Sequence, residues 1–402
     1  MSLPSVLSFG FTRGLWEGDS AEDVRRMRGY AEHLAAYVVV TNSYKRHGLK
    51  PLRLAENFEA VPTDAFHAAD SFLRMIAIGR RVLRERKIDL IQAQDPFFCG
   101  LVAILVARGL RLPVNVCVYG PNVYDPHWLG SHWSHGPLGR IGRWVLRRAA
   151  GIQVDGRMTV RSLIAAGHAP EQVHVKTVVP ANLDQFLAIE RASSGGGKSV
   201  RLLFVGRFAA QKNLPLLLAV VKRLQSAGCP DFTLTMVGEG PDEASLRALA
   251  AREGLRSIVE FRGPVSREEV VGVFAASDVF VLTSNYEGYP RVLMEAAASA
   301  LPTVTTAVSG SDEAILDGET GFIAPIGAPE ELADKLRLLI ENPALRQRMG
   351  TAAREHARAK LDPAGNTAAQ VAIWQMLVPP GATSPKTGTQ PERQLALAEE
   401  SR

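Results

Sequence analysis

Cysteine is scarce in this 402-residue chain: Cys99, Cys117 and Cys229 are odd in number, scattered and without CxxC spacing. That pattern fits reduced thiols and excludes a disulfide framework or a cysteine zinc site. No apolar stretch reaches the roughly 18 residues that span a bilayer, and the N-terminus has no charged-then-apolar export signal. The expected location is therefore the cytoplasm. Charge of one sign is also missing in bulk, since the net is only +5. With no recognised binding motif, that balance argues against nucleic acid as a partner. The charge is uneven, however: 23 Lys and Arg oppose 16 Asp and Glu through Asp184, against 23 and 25 beyond it. Within the basic half, residues 139–149 place Arg140, Arg143, Arg147 and Arg148 among Ile141, Trp144 and Val145. This reads as a basic amphipathic helix, which either docks by its apolar face or makes peripheral contact with an anionic membrane.

Apolar residues at 46% and charged residues at 22% are globular values, and the length exceeds one ordinary core. Short apolar runs at 38–40, 89–92 and 114–118 alternate with helical patterns at 70–86 and 98–108. Such alternation implies an α/β chain with doubly wound parallel sheets. The flexible composition SSGGGKS falls within 188–199 and reads as a linker. It separates an N-terminal domain, 1–187, from a second Rossmann-like domain, 200–361. Residues 362–378 hold a further helical pattern around 366–377, and 379–402 contain too little to bury for a core.

Glu287 and Glu295 bracket EGYPRVLME, where an apolar strand at 279–282 should pass through a loop into a helix at 290–300 with proline in its first turn. A helix start offers free N–H groups to a phosphate, while carboxylates suit sugar hydroxyls. The pair thus fits a ligand that is part anion and part polyol, or else it is a solvated loop and helix surface. The run 200–205 ends at Gly206, so Arg207 and Lys212 fall in the loop after a strand's carboxyl end, where open α/β sheets bind ligands. Gly238 opens a GEG turn after the next strand; Glu243 occupies the place of a third glycine, so no dinucleotide fingerprint is formed.

In order and spacing, FVGRFAAQKNL, MVGEGPDEASLRALAAREGL, VEFRGPVSREEV, EGYPRVLME and the following EAAASALPTVTTAVSGSDEAILDGETGFIAP resemble the donor-binding half of retaining glycosyltransferase family 4, whose fold is GT-B. The resemblance implies two Rossmann-like domains facing a cleft, with the last helix crossing back to the first domain. It implies a catalytic set of Arg207, Lys212 and Glu287, the two cations neutralising a leaving diphosphate. Donor binding would fall to Gly14, Gly206, Gly238, Arg262, Gly263, Gly288, Tyr289, Pro290, Arg291 and Glu295, with Glu287 near the sugar and Glu295 at the ribose. The nucleotide-diphosphate sugar is then a co-substrate, with no other cofactor and no metal, since no DxD pair is present. The acceptor would be a cell-surface glycan or a lipid-linked sugar.

The family often has glycine at Ala300 and a glycine pair at Ser309-Gly310; Ala300 is expected to cost little packing. It also often carries a histidine where Tyr119 stands. Tyr119, Asn122, Tyr124, Asp125 and His127 are acceptor-side candidates on a cleft loop, and His127, His132 and His135 lack a completing acid for a metal site. Two other functions remain open at this point: a nucleotide-sugar 2-epimerase and a non-catalytic nucleotide-sugar-binding scaffold.

Overall fold

The computed structural model describes residues 3–18, 21–120, 123–176, 183–190, 199–360 and 362–378. Eight strands form the first sheet: β1 (Ser5–Gly10), β2 (Ala36–Thr41), β3 (Leu52–Ala55), β4 (Phe58–Pro62), β5 (Leu90–Ala93), β6 (Val114–Val118), β7 (Gly151–Val154) and β8 (Val173–Val175). Their order is β3-β4-β2-β1-β5-β6-β7-β8, with only β3 antiparallel to its neighbour. Six parallel strands form the second: β9 (Val200–Val205), β10 (Phe232–Val237), β11 (Val259–Arg262), β12 (Val279–Leu282), β13 (Thr303–Thr306) and β14 (Gly321–Ala324), in the order β11-β10-β9-β12-β13-β14.

Central strands such as β6 and β12 are buried along their whole length, as helices on both faces require, so they read as apolar runs without alternation. In each sheet the chain winds outward one way and then returns to the other side of its first strand. The reversal lies between β1 and β5 in the first sheet and between β9 and β12 in the second. Loops after these strands part there and leave a crevice for ligands.

The GT-B architecture expected from the sequence is observed, with local corrections. Leu183, Phe186 and Ile189 are packed in the core of the second domain. Its packing therefore begins before the expected boundary at 187/188, while linker residues 191–198 and the tail 379–402 lie outside the described residues. The last helix, Pro363–Leu377, puts Trp374 into the core of the first domain against Tyr30 and Tyr37. The segment expected as a loop around 126–135 contains the helices Pro126–Ser131 and His135–Leu146. The second of these docks through Val145 and Leu146 and leaves Ile141 and Trp144 partly exposed. Ala300 has a φ of 52°. Its cost is thus a left-handed backbone that a Cβ disfavours, not packing, and this accounts physically for a glycine at the position.

Candidate active site

The loops that part at β9 and β12 bring the first chemical group together. Lys212 ends a 3-10 turn after β9, and Glu287 lies in the loop after β12. Lys212 Nζ reaches Glu287 Oε1 at 2.5 Å, with side chains only 15% and 7% exposed. Glu287 also accepts from Ser284 Oγ at 2.6 Å and, through Oε2, from Gln211 Nε2 at 3.0 Å. Three donors from its own domain thus occupy the carboxylate that sequence reasoning aimed at a sugar. Gln211 and Ser284 were missed, and their position in the same two loops was the available signal. Arg207 stands exposed at the same strand end and has no ion-pair partner among the described residues.

Gly238, at φ 135°, sits so close to Gly206 that a Cβ would lie 2.1 Å from the Gly206 carbonyl oxygen. Its glycine is required for the loops after β9 and β10 to meet. Arg262, at the end of β11, and Gly263 are exposed beside them, with the Arg262 carbonyl accepting from Gly238 N.

Across the cleft, carboxyl-end loops of the two sheets touch. A Cβ on Gly288 would lie 2.8 Å from both the Tyr119 carbonyl oxygen and the Gly120 Cα, so this glycine lets the loop after β12 approach the first domain. Pro290 precedes the helix Arg291–Ala298, whose Arg291 reaches Glu22 at 3.5 Å on the first helix of the other domain, Glu22–Ala31. One turn on, burial pushes the Glu295 carboxyl up, and Arg291 partly offsets it while Glu22 adds to it. Gly14 faces the same helix start, its missing Cβ replaced by the Asp23 carboxylate.

A second interdomain cluster escaped sequence reasoning. The buried Glu313 accepts from the backbone N–H of Arg157 at the start of the helix Arg157–Ala165. Thr159 and Ser309 hydroxyls meet at 2.7 Å, and Arg161 Nη2 donates to Asp312 Oδ2 at 2.6 Å. Asp155, just past β7, is 1% exposed and its Oδ1 has no hydrogen-bond partner among the described residues, nor do Glu313 Oε2 and Tyr289 Oη. Burial first, and then Glu313, push Asp155 up to about 7; burial first, and then Asp312, push Glu313 up to about 7. The signal for Asp155 was the one used for Arg207: a charged residue immediately after an apolar strand.

The acceptor-side candidates divide. The Tyr119 hydroxyl accepts from Gln153 Nε2 of the first domain, while the residue stays 37% exposed. Tyr124 Oη meets His168 Nε2 at 2.9 Å, also within that domain. Asp125 caps the helix Pro126–Ser131 by accepting from the backbone of His127 and Trp128. His127 is exposed, and Asn122 lies outside the described residues. His127 and His135 sit on separate helices, His135 stacked 4.6 Å from Trp128. Among the described residues no three His, Cys, Asp or Glu side chains gather as metal ligands.

Two doubly wound sheets facing through their carboxyl ends, with cations at the switch point of the second, define the GT-B class. The description "Glycosyl transferases group 1" matches residues 188–356, and "Glycosyl transferase 4-like domain" matches residues 24–178. The chain belongs to the family-4 type of GT-B glycosyltransferases. It is 30% identical over 320 residues to the sulfoquinovosyl transferase SQD2 of Arabidopsis thaliana, covering 74% of this chain and 60% of that protein. The chain thus spans less than two thirds of that relative. The sucrose-phosphate synthase of Thermosynechococcus elongatus superposes with a TM-score of 0.73 at 16% identity, over 93% of this chain and 99% of that one. Anabaena HepE, solved with UDP, gives 0.67 at 18% identity over 92% and 99%.

Proposed function

We propose that the protein transfers a sugar from a nucleoside-diphosphate sugar to an acceptor hydroxyl with retention at the anomeric carbon. The carrying observation is the switch point of the second sheet, where the Lys212–Glu287 pair and the exposed Arg207 flank the loop leading into Arg291–Ala298. Arg207 and Lys212 would bind the diphosphate, and their charge counts most as the glycosidic bond breaks and negative charge builds on the departing phosphate. Glu287 holds Lys212 in place. Glu295 is the acid left for ribose hydroxyls, and Gly206, Gly238, Arg262 and Gly263 shape the nucleotide side. The leaving phosphate accepts the acceptor's proton, and no metal is needed because the two cations supply the charge. Retention and a glycan or lipid-linked acceptor in cell-envelope synthesis rest on family kinship, and cytoplasmic residence rests on the composition.

Because HepE was solved with UDP, UDP and UDP-sugars are the first probes. A thermal shift with UDP, followed by proton NMR of the anomeric signal in the product, tests the reading in excess chelator. Sugar transfer with an unchanged anomeric configuration is the expected result. An inverted anomer, or activity lost to chelator and restored by Mg²⁺, would refute the corresponding part. Release of an altered sugar without acceptor would indicate epimerisation instead.

A further inference from the structure

The carboxyl-end rim of the first sheet carries a surface built of residues other than the Lys212–Glu287 group. Phe66 and Leu73 are 67% and 66% exposed, and Phe11 is 47% exposed. Ring contacts join this rim: Phe11 and Phe72 each pack on Phe98, at 5.9 and 5.6 Å. Cations lie among these apolar groups. Lys45 Nζ stands 4.0 Å over the Phe66 ring, Arg46 stacks 4.8 Å from the Tyr44 ring, and Arg13 Nη1 lies 3.0 Å from His47 Nε2. Partial desolvation, then Arg13 and Arg46, push His47 below its usual range.

In the segments that build this rim, residues 11–18, 42–50 and 63–74, five Lys and Arg meet three Asp and Glu. One of those acids, Asp70, is already taken by Arg74 at 2.9 Å. Arg13, Lys45 and Arg46 have no ion-pair partner among the described residues. A dissolved anion would satisfy the cations and leave Phe66 and Leu73 in water. An anionic bilayer satisfies both, because cations attract its headgroups while apolar side chains enter the interface.

We infer that this rim seats the protein on an anionic lipid surface, with Arg13, Lys45 and Arg46 on the headgroups and Phe66, Leu73 and Phe11 at the acyl boundary. This face also borders the Gly14 turn, so a membrane-held acceptor would meet the cleft at its edge. That last consequence rests on the proposed glycosyltransferase reading; the lipid contact does not. It assigns membrane contact to the rim and leaves the docked helix His135–Leu146 as a structural element.

The test is co-sedimentation of the full chain with phosphatidylcholine vesicles, with and without phosphatidylglycerol. Binding is expected only with phosphatidylglycerol and should weaken as salt rises. Lys45→Glu with Arg46→Glu should weaken it by about thirtyfold or more, and Phe66→Ser with Leu73→Ser by about tenfold. A preserved UDP thermal shift in both variants reports an intact fold and donor site. Failure to bind anionic vesicles overturns the inference, as does binding that neither pair of substitutions weakens. Loss on charge reversal with no effect of the apolar pair overturns it in favour of a dissolved anion. Vesicle binding is read without sugar transfer, so an inactive protein that still binds lipid would refute only the proposed function.

Discussion

Replacing Glu287 by Gln should strand Lys212 as much as it disturbs any ligand. The 2.5 Å contact joins side chains that are 15% and 7% exposed, and Ser284 and Gln211 complete the carboxylate's shell. A hydrogen bond to a charged group contributes about 1.5–3 kcal/mol, and removing one member of a fully buried pair costs about 3–5 kcal/mol. Residual exposure lets water recover part of this, so Glu287→Gln should lose about 2 kcal/mol. Lys212→Met should lose less, about 1 kcal/mol, because the carboxylate keeps two donors. The double variant should fall about 1–2 kcal/mol short of the sum, which is the coupling between the two groups. Urea denaturation near neutral pH, for all four proteins with and without UDP, measures every side of the cycle. Stabilisation by UDP should vanish in both Lys212 variants. Additive losses within about 0.5 kcal/mol would refute the coupling, and an unchanged stability of Glu287→Gln would return its carboxylate to a purely ligand-facing role.

Asp155 and Glu313, both raised in the folded state, make the native protein bind extra protons between their ordinary carboxylate range and about pH 7. Stability from this cluster should therefore fall as pH rises through that window, and Asp155→Asn should be more stable than the parent by about 1–3 kcal/mol at pH 8 but not near pH 4. A gain equal at both pH values in urea titrations would remove the explanation by raised carboxyl groups. Ala300→Gly relieves the left-handed backbone at φ 52° and should add about 1 kcal/mol by the same measurement; a loss would mean that the methyl packing outweighs the strain. Gly288→Ala drives a Cβ toward the Tyr119 carbonyl across the cleft, so turnover should drop about tenfold or more while UDP binding by calorimetry holds. Unchanged turnover would show that closure at this point is not required.

Strand-loop-helix order was legible because each central strand is an apolar run followed by a loop, and polar residues collect where such runs end. Arg207, Lys212 and Glu287 were placed in neighbouring loops that way. What partners Glu287 was not legible, since Ser284 and Gln211 are ordinary loop residues until β9 and β12 are known to be neighbours. The interdomain cluster was hidden for a related reason: Asp155 and Glu313 belong to different sheets, and no local pattern announces a pair brought together by two folded domains. Asp125 misled in the opposite way, being a polar residue after a strand that serves a helix start. Ala300 showed its strain only in φ, which composition does not encode.

Trp374 donates its indole N–H to Gln92 at 2.8 Å across 282 residues of sequence, and Gln370 exchanges hydrogen bonds with Gln153. During synthesis the first sheet therefore emerges with a gap in its packing, and Gln92 and Gln153 have only their partners within the first domain, Asn115 among them. Loop closure over so long a separation is slow, and the second domain must form within the interval. Maturation of the N-terminal half is thus timed by the arrival of the last helix, so a chain truncated before residue 363 would present an aggregation-prone face however well its second domain had folded.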